Sequence, residues 1–532
     1  MTILIASEIE KKSTLTCDVC IIGSGMSGQL ISSELKAKKV ILVESGSINF
    51  DKEIQELNKH TSTGLKFRDN NLNRIRQLGG SANLWANQLM LLNENDFVKR
   101  DWIEKNQYLP LTIKELYKYY DLAITKIYRN RFKKIGNLIN YEYIGNDLFE
   151  QEFIKDKIFN FNNHFWPTKI EKFNNNSNFT KNLINSKNID LIQNFTATDF
   201  KIDENLKKLI SIKFASKNKE IFVKANHFIL ACGAIENARL LLNNKSKSKL
   251  LENQNIGKYF MEHPRLMLGQ LKSKKKISLN KVLGLKYYNY SIKQSLSFSK
   301  DYLIKNKLLN SYAFLDPKFN NQDELFFKEF MEALKTILKK KKIPKYNFKN
   351  FKIKSFIEQI YFTLPPQISN NILNNLIRIY FQITNIKFSF NEMNINYQGE
   401  QFPNVYSTIT LGKDKDLHNQ LKCELNWKLN NLDYHTINHF VKVLHYKFRN
   451  HNHLSFKENI DKKITDASHH MGTTRMSLND YDGVVDKNCK FHNINNLFIS
   501  GNSVLRTSGS SNPALTNMAL SLRLGEYINN YL

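Results

Sequence analysis

The run from Cys17 to Gly46, CDVCIIGSGMSGQLISSELKAKKVILVESG, reads as strand, glycine turn, helix, strand. Two apolar stretches bracket a segment with helical spacing, which is how a βαβ unit begins. Gly23, Gly25 and Gly28 form G-x-G-x-x-G directly after the first strand. The first glycine permits a tight turn, the second lets the backbone approach a pyrophosphate, and the third lets the helix close on the strand. The phosphates then face the helix N-terminus. Glu44 ends the second strand, where a carboxylate accepts hydrogen bonds from the ribose hydroxyls of an adenosine. Strand context on both sides, together with the acid, points to a nucleotide cofactor, nicotinamide or flavin.

Two later stretches belong to the same kind of sheet. Residues Leu191 to Gly233 read as short strands (LIQNFTATDFKI, KLISIKFAS, KEIFVKANHFILACG), the last running into a helix, AIENARLLLN. Near the C-terminus, NLFISGNSVLRTSGSSNPALTNMALSLRLGEYI is an apolar strand, a polar loop and a long helix beginning at Pro513. Pro is tolerated in a first helical turn, where its missing N–H costs nothing. The expected fold class is mixed α/β. A Rossmann-like nucleotide-binding domain is assembled from the discontinuous segments 1–95, 166–269 and 465–532. Residues 96–165 and 270–464 form a second, substrate-binding domain of antiparallel sheet plus helices that roofs it, with VYSTITL and LKCELNWKL among its strands.

Composition bounds this reading. The chain has 532 residues, 41% of them hydrophobic and 12% aromatic, enough for a large core despite a net charge of +29. With Gly at 20, Pro at 9 and Cys at 5, collagen-like and disulfide-scaffold classes are excluded. Single cores stop growing near ~250–300 residues, so two or more domains are expected. Cys17 and Cys20 stand three apart on a strand, point to opposite faces and are read as structural. The N-terminus lacks the pattern of an export signal, and no apolar run reaches the ~18 residues of a membrane span. A cytoplasmic protein is the simplest expectation. The charge gathers in clusters such as Lys272–Lys276, Lys339–Lys342 and Lys245–Lys249. AT-rich codons for Lys, Asn, Ile, Phe and Tyr account for it, and no nucleic-acid partner is expected. The amphipathic, cation-ended segment Asp323 to Lys342 is the candidate for peripheral membrane or partner docking.

The strongest chemical signal pairs SHHMGTTRM at Ser468–Met476 with SGSSNPALT at Ser508–Thr516. Together with RQLGGSANLW at Arg76–Trp85 and NIGKYFMEHP at Asn255–Pro264, the sequence resembles the glucose–methanol–choline (GMC) oxidoreductases. The motifs recur in order over nearly the whole chain. The likeness is greatest to the branch of pyranose oxidases and FAD-dependent sugar dehydrogenases, which carry a His–Asn pair.

The resemblance implies an FAD-dependent oxidoreductase acting on CH–OH groups of a sugar, polyol or related alcohol. His469 matches the catalytic base, which takes the hydroxyl proton while the carbon loses hydride to flavin N5, a task for a group titrating near neutrality. Asn512 matches the second member of the pair and donates a hydrogen bond to the same oxygen. His470 is assigned to packing behind it, and His263 to a hydrogen-bonded structural role. A helix starting at Pro513 aims its positive end at the flavin, stabilising developing charge by ~1 kcal/mol or more. Gly79, Gly80 and Ser81 resemble the loop that runs along the flavin, and Asn502 a contact to its ribityl chain. Leu84 stands where some pyranose oxidases place a flavin-bonding His, so noncovalent FAD is expected. Trp85 is read as core. No metal or haem motif is present. Oxygen or another acceptor reoxidises the flavin, in some relatives through a partner subunit. The alternatives are an FAD-containing lyase or photoenzyme of the same fold, and a basic membrane- or nucleic-acid-associated protein on a flavin scaffold.

Overall fold

A computed structural model describes residues 3–5, 13–67, 73–92, 94–97, 99–103, 108–127, 153–167, 171–278, 285–286, 290–318 and 389–532. The segment Asp323 to Lys342 lies outside them. The first elements are β1 (Ile3–Ile5), β2 (Ser13–Ile22), α1 (Met26–Glu34), β3 (Val40–Glu44), α2 (Lys52–Gln55), β4 (His60–Ser62), α3 (Ile113–Ile127) and β5 (Phe159–Pro167). Next come α4 (Asn178–Ile184), β6 (Ile189–Gln193), β7 (Thr196–Asp203), β8 (Lys208–Ala215), β9 (Glu220–Leu230), α5 (Ala234–Asn244), β10 (Arg265–Ser278), β11 (Leu285–Lys286), β12 (Tyr290–Phe298) and α6 (Lys300–Asn306). The last are β13 (Ser311–Pro317), β14 (Ser389–Gly399), β15 (Thr408–Lys415), β16 (Leu421–Asn426), α7 (Asn431–Phe448), β17 (Leu454–Glu458), β18 (Leu497–Ile499) and α8 (Ala514–Asn529).

An 8-stranded sheet in the order β1-β6-β3-β2-β9-β8-β7, with β18 also on β9, forms the base. Its centre is parallel, and β3 is buried along its whole length. Near-continuous apolar strands are what a parallel sheet covered on both faces requires. Strand β18 returns from the C-terminus to pair in parallel with β9, Leu497 opposite Phe228, so the sheet recruits three distant segments. The stretch LIQNFTATDFKI, read as one strand, is two: Asn194 takes a left-handed φ of 63°, breaking it between the parallel β6 and the antiparallel β7. Helix α8 packs on α1 at Gly525, where a Cβ would come within 2.7 Å of the Glu34 side chain.

A 7-stranded antiparallel sheet, β11-β12-β13-β14-β10-β17 with β5 on β12, forms the roof. Its residues alternate. Leu266, Leu268, Ala313, Leu315, Ile395 and Tyr397 point outward into a core with Ile437, Phe440 and Leu444 of α7. Their neighbours Arg265, Tyr312, Phe314 and Gln398 therefore take the opposite face, towards the base. Within the stretch assigned by sequence to the second domain, Ile409, Cys423, Leu425 and Trp427 share the core of the base instead. Ile409, Cys423 and Leu425 belong to a 3-stranded sheet, β15-β16-β4, closed by the early strand β4, and Trp427 directly follows β16.

Cys20 is buried and Cys17 half-buried on β2; burial pushes the Cys17 thiol up to about 12 and raises that of Cys20 as well. Among the described residues no helix is long and apolar enough to cross a membrane.

Candidate active site

Strand β2 delivers the chain into the glycine turn. Gly23 takes φ +101°, and a Cβ there would lie 2.6 Å from the Ala231 carbonyl oxygen. A Cβ at Gly28 would lie 1.9 Å from the Gly23 carbonyl oxygen. Only glycine fits either position. The second glycine loop lies against the first: Gly25 and Gly79 form a parallel bridge, and the Gly79 N–H donates to the Ser24 carbonyl at 3.1 Å. Glu44 fastens this turn. Its carboxylate accepts the Ser24 N–H at 3.0 Å, the Ser24 hydroxyl at 2.7 Å and the Gly46 N–H at 2.9 Å. Oε2 takes both Ser24 donors, so Oε1, which takes the Gly46 N–H, is the oxygen left for a ligand hydroxyl.

Between base and roof lies a cleft of about 500 Å³, lined by Gly23, Gly25, Glu44, Gly80, Ser81, His469, Asn502, Asn512 and Pro513. Gly28 and Gly79 stand just behind its wall. Helices α1 and α8 both open their N-termini onto it, through Met26 and through Pro513 and Ala514. Pro513 caps α8 immediately before its first residue, one position earlier than a first-turn placement. The Asn502 side-chain oxygen is buried there without a hydrogen-bond partner. A cradle too tight for any Cβ, two positive helix ends and an orphaned amide oxygen fit the pyrophosphate and polyol chain of a flavin dinucleotide.

The histidine pair is held by a directional chain of hydrogen bonds. His263 is fully buried, and its Nε2 lies 3.2 Å from the Ser508 carbonyl and 2.9 Å from the Gly509 carbonyl. Carbonyls only accept, so Nε2 carries the proton and donates. Burial pushes His263 down to about 4, which keeps the ring neutral and leaves Nδ1 a bare acceptor. That Nδ1 is 2.8 Å from Nδ1 of His469. His469 must therefore donate from Nδ1, and in the neutral ring its Nε2 is unprotonated, the state a general base needs.

Asn512 is fixed from both sides. Its Nδ2 donates to Gln88 Oε1 at 2.5 Å, and its Oδ1 accepts from Gln398 Nε2 at 3.1 Å. An amide nitrogen has two protons, so one remains for a ligand. Gln88 in turn donates to Nδ1 of His164 at 2.7 Å, whose Nε2 reaches the Ser295 hydroxyl at 2.6 Å. Burial pushes His164 down to about 3, so it too is neutral.

The His470 ring packs tilted against Phe67, with ring centroids 5.2 Å apart, and its Nε2 is 3.5 Å from Glu262 Oε1. Burial holds this ring far below its usual range and pushes Glu262 up to about 8. Glu262 accepts backbone N–H groups of His263 and Ala467 at 3.2 Å each, tying together the two loops that carry the histidines. Leu84 is exposed, and Trp85 packs on the core with one side while it lines the cleft with Leu84.

Sequence reasoning separated a structural His263 from a functional His469, yet the structure joins them. It also missed Gln88, His164, Arg265, Tyr312 and Gln398. The one local hint is that Arg265 directly follows His263-Pro264; the others arrive by strand register, which no local pattern records.

One family model matches, that of GMC oxidoreductase, over residues 403–521. A pyranose 2-oxidase of Tricholoma matsutake is 36% identical over 66 residues, 12% of each chain. A 2-methyl-1,2-propanediol dehydrogenase of Mycolicibacterium austroafricanum is 31% identical over 134 residues, 24% of each chain. The matches thus span a quarter or less of these curated relatives. Among solved structures, a formate oxidase of Aspergillus oryzae RIB40, studied for FAD modification, superposes with a TM-score of 0.55 at 16% identity, covering 98% of this chain and 99% of that one. A pyridoxine 4-oxidase from Mesorbium loti gives 0.51 at 13% identity, covering 97% and 99%. These likenesses extend the fold over the whole chain.

Proposed function

The chain carries the C-terminal domain of the GMC oxidoreductases, and from that premise we propose that it is an FAD-dependent oxidoreductase that oxidises a CH–OH group of a sugar, polyol or related alcohol. The observation that carries this reading is the His263–His469 hydrogen bond of 2.8 Å, which puts the His469 proton on Nδ1 and so makes Nε2 the basic nitrogen of the neutral ring, in the cleft that Asn512 shares.

FAD, when bound, supplies the hydride acceptor. The chain's own residues do the rest. His469 Nε2 accepts the proton of the alcohol hydroxyl as negative charge grows on that oxygen. The spare Nδ2 proton of Asn512 donates to the same oxygen and fixes its position. The N-terminus of α8 adds positive potential at that end of the cleft. Gly23, Gly25, Gly28, Gly79, Gly80 and Ser81 cradle the dinucleotide, Glu44 receives the adenosine ribose and Asn502 the ribityl chain. Leu84 offers no nucleophile, so the flavin is held without a covalent bond. A small-molecule alcohol or sugar is the partner, and the site of action is the cytoplasm.

The test is anaerobic bleaching of the FAD-loaded protein against a panel of sugars, polyols and 1,2-diols. His469→Ala is expected to retain FAD while slowing flavin reduction by ~10²–10⁴. Reduction at the wild-type rate in that variant removes His469 from the role, and a flavin that no alcohol bleaches removes the dehydrogenation itself.

A further inference from the structure

Arg265 opens β10, and across the roof it stands opposite Gln398 on β14, which in turn stands opposite Tyr312 on β13. Directly paired residues on neighbouring antiparallel strands share one face, so Arg265, Gln398 and Tyr312 form a row on the side of the sheet turned to the cleft. Arg265 lines the cleft together with His469 and Asn512. Its Nε donates to Gln398 Oε1 at 2.6 Å, and Gln398 Nε2 donates on to Asn512 Oδ1 at 3.1 Å. That leaves both terminal guanidinium nitrogens of Arg265 with donor protons.

Each of the other three arginines that line the cleft has a carboxylate partner. Arg74 and Arg76 pair with Glu236 at 3.0 and 2.7 Å, and Arg239 is shared by Glu236 and Asp416. Arg100 takes Glu400, whose carboxylate also accepts from Thr507 and the Asn310 N–H. Among the described residues Arg265 has no carboxylate partner. Beside it the Tyr312 hydroxyl, in a side chain only 2% exposed, finds no hydrogen bond of good geometry although Arg265, Gln398 and Gln88 surround it. A guanidinium with no carboxylate partner and an orphaned buried hydroxyl in one row are two groups with donor protons to spare.

We propose that this row is an anion subsite, and that the alcohol oxidised beside His469 and Asn512 carries a carboxylate or phosphate held by Arg265 and Tyr312. The inference rests on the oxidoreductase reading above and deepens it to a substrate class: acidic sugars and hydroxy acids in preference to neutral polyols. Gln398 sets the spacing, one side chain between the Arg265 guanidinium and the Asn512 amide, so a short carbon chain separates the anionic group from the hydroxyl that reacts. Burial pushes the Tyr312 phenol up to about 12, so it remains a donor at any working pH.

Calorimetry of the FAD-loaded protein with glucose, gluconate and glucose 6-phosphate tests the site without requiring turnover. Gluconate or glucose 6-phosphate is expected to bind at least tenfold tighter than glucose, the two arms separating carboxylate from phosphate. Arg265→Gln is expected to abolish the difference and Arg265→Lys to keep part of it, with FAD absorbance reporting that both variants fold. Equal binding of all three sugars, no binding of any, or a preference that survives Arg265→Gln overturns the anion subsite. Flavin bleaching is read separately: a preference that depends on Arg265 in a protein no alcohol reduces supports the subsite and defeats only the oxidoreductase reading.

Discussion

The hydrogen bond from His469 to His263 can be cut at either end of one ring. An Asn side chain places an oxygen near the position of imidazole Nδ1, and a Gln side chain places an amide nitrogen near Nε2. His263→Asn therefore keeps an acceptor for His469 Nδ1–H, now 2.8 Å from His263 Nδ1, and loses the donor to the carbonyls of Ser508 and Gly509. His263→Gln does the reverse. A net hydrogen bond is worth about 0.5–1.5 kcal/mol, and 1.4 kcal/mol is a factor of ten, so removing the acceptor shifts the His469 tautomers by about 2- to 13-fold. The Gln variant is thus expected to reduce its flavin about 3- to 10-fold more slowly in an anaerobic stopped-flow mixing experiment, and the Asn variant to stay within about 3-fold of wild type. Stability runs the other way. Leaving the buried Ser508 carbonyl unpaired, while Gly509 keeps the Ser508 hydroxyl, costs about 1–3 kcal/mol, so the Asn variant melts at a lower temperature than the Gln variant. If reduction rates instead follow the order of melting temperatures, His263 acts only as packing and the tautomer argument is refuted.

Gly28→Ala forces a Cβ to within 1.9 Å of the Gly23 carbonyl oxygen, so the purified variant is expected to carry little flavin and to lose more than ~1–3 kcal/mol of stability; full flavin content would contradict the packing of α1 on the turn. Glu44→Gln removes the charge that three donors of the turn converge on, and FAD affinity measured by fluorescence titration should fall by about tenfold or more. Burial depresses His263 to about 4 and His164 to about 3 from an ordinary 6.5, so the unfolded chain takes up protons first as pH drops. Their contribution is complete above pH 6.5 and is lost as pH falls to 4 and below, which a thermal melt series should show and His164→Gln should make shallower. Glu262 has the opposite sign: raised by burial and by Asp466 to about 8 from 4.5, it contributes below pH 4.5 and loses that contribution on the way to pH 8, a decline absent from Glu262→Gln.

What the sequence made legible was chemistry fixed by neighbours along the chain. Gly23 and Gly28 are readable because a positive φ and a 1.9 Å contact are demands that only one residue type meets, and both partners of the second contact lie in the same turn. The start of α8 after Pro513 is readable for the same local reason. His469 against His470 was decided by resemblance, since two adjacent histidines carry no internal sign of which faces the cleft. The structure supplies a physical difference between them: one donates to a buried neutral imidazole, the other packs tilted against Phe67 with Nε2 3.5 Å from Glu262. The roof was illegible for a deeper reason. Arg265, Gln398 and Tyr312 meet because three strands pair in one register, and shifting any of those strands by a single residue turns its side chain to the outer core. The surface that a substrate meets is therefore encoded in long-range pairing rather than in any motif. A relative could keep the glycine turn, His469 and Asn512 unchanged while its roof presented a different row.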